Sequence, residues 1–235
     1  MRKLRSFIFN LYFVIVSSAC AIFGLPFLLG HRRLAFTVPQ VWAGLTSWGA
    51  RNILGLTYKV EGLEHLPKGA CIIASKHQSA WETVVFCEIF PESIFVAKRE
   101  LLMIPFFNFH FIKQKTIMLN RKLGGQARAD LVRQAKARVA EGDRIIIYPE
   151  GTRRPMGAEP KYKQGIGAMY TELNVPVVPV ALNSGLFWPR RSFEKRPGTI
   201  VVSILPPLMP GLTHAEFMQT LEERVETKMR ELARE

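Results

Sequence analysis

The sequence predicts an α/β fold: a largely parallel sheet flanked by helices, preceded by an N-terminal hydrophobic, membrane-anchoring helical segment. Three observations carry this. Six short apolar runs lie between residues 71 and 204, and stretches of helical period alternate with them, which is the pattern of β–α–β units. Polar clusters follow the ends of several runs, where sites form in parallel sheets. Ser6 to Gly30 carries no charged side chain. A chain of 235 residues fits one domain with a short appendage. The expected division is residues 1–54 as a membrane-associated helical hairpin or span and 55–235 as the α/β domain, with Gly55 to Gly69 as the junction.

The uncharged run of 25 residues would be about 37 Å long as a helix, and a bilayer core needs roughly 20 such residues. Arg2, Lys3 and Arg5 precede it; His31, Arg32 and Arg33 end it. A second uncharged run, Leu34 to Ala50, contains Trp42 and Trp48, side chains suited to the headgroup level. Three readings compete. A cleaved signal peptide would end at Ala19-Cys20-Ala21, but the apolar run continues past that point. A single span gets no clear orientation from charge present on both sides. A two-helix hairpin dipping into one leaflet, its basic residues reaching headgroups, is the favoured reading.

The strands follow in order. Cys71 to Ala74 is apolar between Gly69 and a polar cluster. Ile94 to Ala97 and Thr116 to Leu119 are the second and third. Arg144 to Tyr148 is β-branched and stopped by Pro149. Val177 to Leu182 is the fifth, where Pro179 argues for an edge or an irregular end. Thr199 to Ile204 is the sixth. Between them, Gln126 to Ala140 places Leu131, Val132, Ala135 and Val139 on one helical face. Thr213-x-x-Glu216 is a capping box for a last helix whose stripe is Phe217, Leu221, Val225, Met229 and Leu232.

Lys plus Arg is 32 and Asp plus Glu is 19, a net charge of +13, so the surface suits phosphates and acidic partners. A nucleic-acid module would show basic residues interleaved with aromatics or a known motif; neither is present, and no nucleic acid is expected. Cys20, Cys71 and Cys87 match neither a disulfide framework nor a zinc pattern, and the five histidines lack metal-ligand spacing. No metal is expected. There is no G-x-S-x-G elbow and no Walker loop.

Three polar clusters remain. In the first, Ser75 to Glu82, a histidine in the loop and a carboxylate one helical turn on can meet: Glu82 would hold the tautomer of His77, whose other nitrogen could take a proton from a hydroxyl. Ser79-x-x-Glu82 is equally a capping box. In the second, Tyr148-Pro149-Glu150-Gly151-Thr152-Arg153-Arg154, arginine forks match phosphate oxygens beside a glycine that admits a ligand close to backbone; a charged turn explains it as well. The third is Lys98-Arg99-Glu100-Leu101, with Arg121 after the third strand. Pro105 to Phe111 is an aromatic run that suits either the bilayer surface or a core loop.

Together these clusters resemble the glycerophospholipid acyltransferase family, the 1-acylglycerol-3-phosphate O-acyltransferases, over roughly Cys71 to Leu182. The family signature N-H-x-x-x-x-D reads Lys76-His77-Gln78-Ser79-Ala80-Trp81-Glu82. Arg121 ends the second block. F-P-E-G-T-R reads Tyr148-Pro149-Glu150-Gly151-Thr152-Arg153, and Val175 to Val180 matches the fourth block. Lys76 and Glu82 depart from the usual asparagine and aspartate.

The resemblance implies acyl transfer from acyl-CoA or acyl-carrier protein to the free hydroxyl of 1-acylglycerol-3-phosphate, giving phosphatidic acid, with no bound cofactor. His77 would be the base and Glu82 its partner. Lys98, Arg121 and Arg153 would meet the acceptor phosphate, with Glu150 orienting a hydroxyl or an arginine and Gly151 and Thr152 shaping the pocket. The protein is expected at the membrane, on the cytoplasmic face (the inner membrane if bacterial), in contact with the lysophospholipid acceptor and anionic headgroups. The alternative acceptor is another lysolipid, such as a lyso-ornithine lipid.

Overall fold

Each of the six apolar runs becomes a strand, and a seventh joins them. The computed structural model describes residues 1–234. Its strands are β1 (Leu56–Glu61), β2 (Ile72–Ser75), β3 (Ile94–Lys98), β4 (Ile117–Leu119), β5 (Ile145–Ile147), β6 (Val177–Leu182) and β7 (Gly198–Ile204). They form one sheet in the order β1-β7-β6-β2-β5-β3-β4. Neighbours run parallel except β6 and β7, which are antiparallel.

The central strands are apolar throughout because both faces are covered. On one face, Ile72, Ala74, Ile145 and Val177 pack against helices α5 (Gln126–Ala140), α6 (Gln164–Leu173) and α8 (His214–Leu232). On the other, Ile73, Ile146, Val178 and Ile200 pack against α3 (Trp81–Ile89) and the N-terminal helices. The period of two is what sends Ile72 and Ile73 into different layers. The Thr213 capping box forms as expected, with Glu216 N–H donating to the threonine hydroxyl at 3.3 Å and Thr213 N–H to Glu216 Oε2 at 2.9 Å.

Two strand expectations need correction. Residues expected as a junction contain β1, whose Leu56-Thr57-Tyr58-Lys59-Val60-Glu61 pairs with Gly198 to Ser203. It lies at the sheet edge with one buried residue, so its charged, half-exposed sequence lacks a core signature. Pro179, expected at an edge or an irregular end, lies in the interior strand β6, so the edge alternative falls. The proline is tolerated because the antiparallel ladder is irregular beside it. The register slips by one residue between the Val177–Leu208 bridge and the Val180–Ile204 pair. The Pro179 carbonyl still accepts from Leu205 N–H at 2.9 Å.

The N-terminal segment forms α1 (Arg2–Phe23), two short 3₁₀ turns at Leu25–Leu28 and Arg32–Phe36, and α2 (Thr37–Gly49), which runs into a π turn at Ala50–Leu54. By length and composition α1 is apolar enough to cross a membrane. It packs against α2: Trp42 Nε1–H donates to Ser17 Oγ at 2.9 Å and Tyr12 O–H to the Leu45 carbonyl at 2.8 Å. Trp42 is partly buried against α1, whereas Trp48 is exposed. A Cβ on Gly49 would lie 2.2 Å from the Tyr12 ring, so this crossing requires glycine. One side of α1 is fastened to the α/β domain, with Phe9 edge-on to Trp188 at 5.2 Å. The other side exposes Phe7, Leu11, Val14 and Ile15. The aromatic run splits likewise. In α4 (Phe107–Lys113), His110 is buried with Nε2 at 3.1 Å from the Ala21 carbonyl of α1, while Phe109 and Ile112 are exposed.

Candidate active site

Strand β2 ends at Ser75, a five-residue loop follows, and α3 starts at Trp81. This geometry brings the loop histidine back over the first helical turn. His77 Nδ1 lies 2.9 Å from Glu82 Oε1. Glu82 is 0% exposed, and its charge is held by donors. Oε1 also accepts from the backbone N–H of Gln78 at 2.6 Å and Ser79 at 2.7 Å, and Oε2 accepts from Ser184 Oγ at 2.9 Å. A buried carboxylate with this many donors at a helix N-terminus is well compensated. The expected capping box is divided between two residues. Ser79 Oγ accepts from Trp81 N–H at 3.0 Å, while Glu82 reaches back to the loop and to the imidazole.

The His77 ring stacks on Tyr148, with centroids 4.1 Å apart and planes 17° apart. Burial, then the Glu82 charge, hold the Tyr148 hydroxyl well above its ordinary pKa, so it stays neutral. With Nδ1 engaged by Glu82, Nε2 is the nitrogen left to exchange a proton, and His77 lines the main cavity.

The loop after β5 grips the same histidine from behind. Arg154 N–H donates to the His77 carbonyl at 2.8 Å, and Glu150 Oε1 accepts from the His77 N–H at 3.0 Å. Glu150, expected to orient an acceptor hydroxyl or an arginine, is instead tied into a buried ion cluster. It is 1% exposed and outside the cavity wall, and its Oε2 accepts from Lys76 Nζ at 3.2 Å. Burial raises its pKa, opposed first by the nearby Lys76 charge. Lys76 also donates to Glu226 Oε1 on α8 at 2.7 Å, and Tyr162 O–H donates to that oxygen at 3.2 Å. Gly151 sits at φ +64°, and the Arg121 guanidinium donates to its carbonyl.

The cavity has a volume of about 1340 Å³. It takes in His77, Lys98, Arg121, Gly151, Thr152 and Arg153, so the structure brings these expected residues to one space. Glu92 is the only carboxylate side chain in its wall among the described residues. The same space reaches apolar side chains of the N-terminal helices and α4, including Phe13, Trp42 and Phe107. It can therefore hold an anionic group and a hydrocarbon chain together. Sequence reasoning missed Ser184, Glu226 and Arg190. Arg190 lines the cavity and donates to the Arg153 carbonyl at 2.8 Å. The Pro189-Arg190-Arg191 run was a readable signal for the last; nothing local marks Glu226, which is 150 residues from its partner.

A histidine held by a carboxylate, beside cations and an apolar cleft, is an arrangement suited to group transfer. A family model described as Acyltransferase matches residues 57–183, and the chain belongs to that acyltransferase family. The 1-acyl-sn-glycerol-3-phosphate acyltransferase of Pseudomonas aeruginosa is 36% identical over 212 residues, 88% of this chain and 80% of that protein. The human 1-acyl-sn-glycerol-3-phosphate acyltransferase alpha is 28% identical over 189 residues, 79% and 66% of the two chains. In fold, the crystal structure of the 1-acyl-sn-glycerophosphate (LPA) acyltransferase PlsC from Thermotoga maritima superposes with a TM-score of 0.83. It covers 99% of this chain and 98% of that one at 23% identity.

Proposed function

We propose that this protein transfers an acyl chain from a thioester to the C2 hydroxyl of 1-acylglycerol-3-phosphate, forming phosphatidic acid. The observation that carries this is the His77–Glu82 pair at 2.9 Å, with His77 opening onto a cavity that is both basic and apolar. The Pseudomonas aeruginosa relative, named for this activity, supports it.

His77 Nε2 takes the hydroxyl proton as the oxygen attacks the thioester carbonyl. Glu82 balances the imidazolium so formed. The tetrahedral intermediate collapses, the C–S bond breaks, and the thiolate leaves with the proton from His77. No covalent acyl-enzyme is required. Lys98, Arg121 and Arg153 face the acceptor phosphate, and the apolar wall takes acyl chains. The donor is acyl-CoA or acyl-carrier protein; both are acidic and suit the +13 charge. No bound cofactor takes part. Residues 1–54 rest in one leaflet as a hairpin through the exposed apolar side of α1, and the α/β domain, residues 55–235, lies on the cytoplasmic face, where thioesters are made.

Comparing 1-acylglycerol-3-phosphate with the phosphate-free 1-acylglycerol tests the acceptor. The phosphate form should win by about 100-fold or more in kcat/KM, since charge-assisted contacts each contribute roughly 1.5–3 kcal/mol. Arg121→Ala should narrow the gap chiefly through KM. Equal use of both acceptors would reject the phosphate assignment.

A further inference from the structure

We propose that Lys76 and Glu226, acting through Glu150, form a buried positioning triad for His77. The inference rests on the reading of His77 as the base. Lys76 occupies the place of the signature asparagine, and its four-methylene stem reaches partners that a single methylene would not. Its side chain is 1% exposed and joins Glu226 Oε1 at 2.7 Å to Glu150 Oε2 at 3.2 Å. The second Glu150 oxygen holds the His77 N–H at 3.0 Å, while Arg154 N–H holds the His77 carbonyl at 2.8 Å. The backbone of the base is thus clasped on both sides, and one side depends on a glutamate that depends on Lys76. Glu226 lies on α8, so the C-terminal helix takes part in placing the histidine.

The chemistry depends on charge. Glu150 faces Lys76, Glu226, Tyr162 and the His77 N–H. Ionised, it makes a strong, charge-assisted bond to that N–H. Without the lysine, burial drives Glu150 toward its neutral form, and a neutral carboxyl accepts more weakly. A small displacement of a base out of its attack geometry is enough to slow transfer.

The test uses the full chain carrying Lys76→Met with Glu226→Gln. One positive and one negative charge are removed together, and the amide introduced on α8 still accepts from Tyr162. With folding checked by circular dichroism, kcat should fall about tenfold or more while KM for both substrates holds. The acid limb of the kcat–pH profile should move up by about one unit, because Glu150 must lose its proton to hold His77. Adding Glu150→Gln leaves no titrating carboxyl in the cluster, so the acid limb should return to its wild-type position while kcat stays low, because the neutral amide lacks the charge-assisted bond to the His77 N–H. This triple variant also serves if the double variant does not fold. A folded double variant with wild-type kcat and acid limb, or a triple variant that keeps the shifted limb, would overturn the triad. An inactive wild-type protein would overturn the reaction itself, a result visible before any variant is made.

Discussion

His77→Ala should lower kcat by about 10²- to 10⁴-fold, the usual contribution of a placed general base, with little change in KM for either substrate. The reason is the shortage of other bases. The cavity wall presents cations at Lys98, Arg121 and Arg153, Glu92 is its only carboxylate among the described residues, and its other histidine, His110, is buried with Nε2 at 3.1 Å from the Ala21 carbonyl. Glu82 cannot stand in, since it is fully buried and engaged with His77, two backbone donors and Ser184. Glu82→Gln should be milder than His77→Ala. The amide oxygen can still accept, but the imidazolium formed during transfer loses its balancing charge. Steady-state kinetics with the acyl donor saturating separates the two variants. A His77→Ala enzyme within threefold of wild type would end its assignment as base.

The largest effect on stability is expected at Lys76. Lys76→Met alone leaves Glu150 and Glu226 facing one another without their shared cation, at 1% and 8% exposure. Breaking a buried ion cluster in this way costs about 3–5 kcal/mol, which for a chain of this size lowers Tm by roughly 6–20 °C. The pH dependence has a definite sign. Burial already raises the folded-state pKa of Glu150, and removing the lysine that opposes this raises it further. The added destabilisation is therefore complete above the raised pKa of the variant and absent below the wild-type folded value. The deficit relative to wild type should shrink as pH falls through that window. Thermal melts of both proteins between pH 4 and pH 8 measure it. A deficit that is constant across the range would mean that losing Lys76 does not raise the Glu150 pKa further.

Much of this architecture was legible because period and punctuation are local. Ile72 and Ile73 announce a doubly covered strand, Pro149 ends another, and Thr213 with Glu216 marks a helix start. The five-residue step from His77 to Glu82 was legible too, because a loop followed by one helical turn closes that distance. What escaped depends on partners remote in sequence. β1 is an edge strand whose partner begins at Gly198, so Lys59 and Glu61 carry no core signature. Pro179 is tolerated by a register slip that only β7 reveals. Glu150 reads as a substrate contact until Lys76 and Glu226 are seen beneath it. Ser184 joins Glu82 from the end of β6, 102 residues away.

The most direct test of the central claim is acyl transfer by the purified protein in mixed phospholipid–detergent micelles. 1-Acylglycerol-3-phosphate is offered with acyl-CoA and, in parallel, with acyl-carrier protein, and phosphatidic acid is measured by mass spectrometry beside released thiol. A site built on His77 and Glu82 predicts phosphatidic acid and thiol in equal amounts with at least one donor, and neither from His77→Ala. Folded protein that makes no phosphatidic acid with either donor would contradict it.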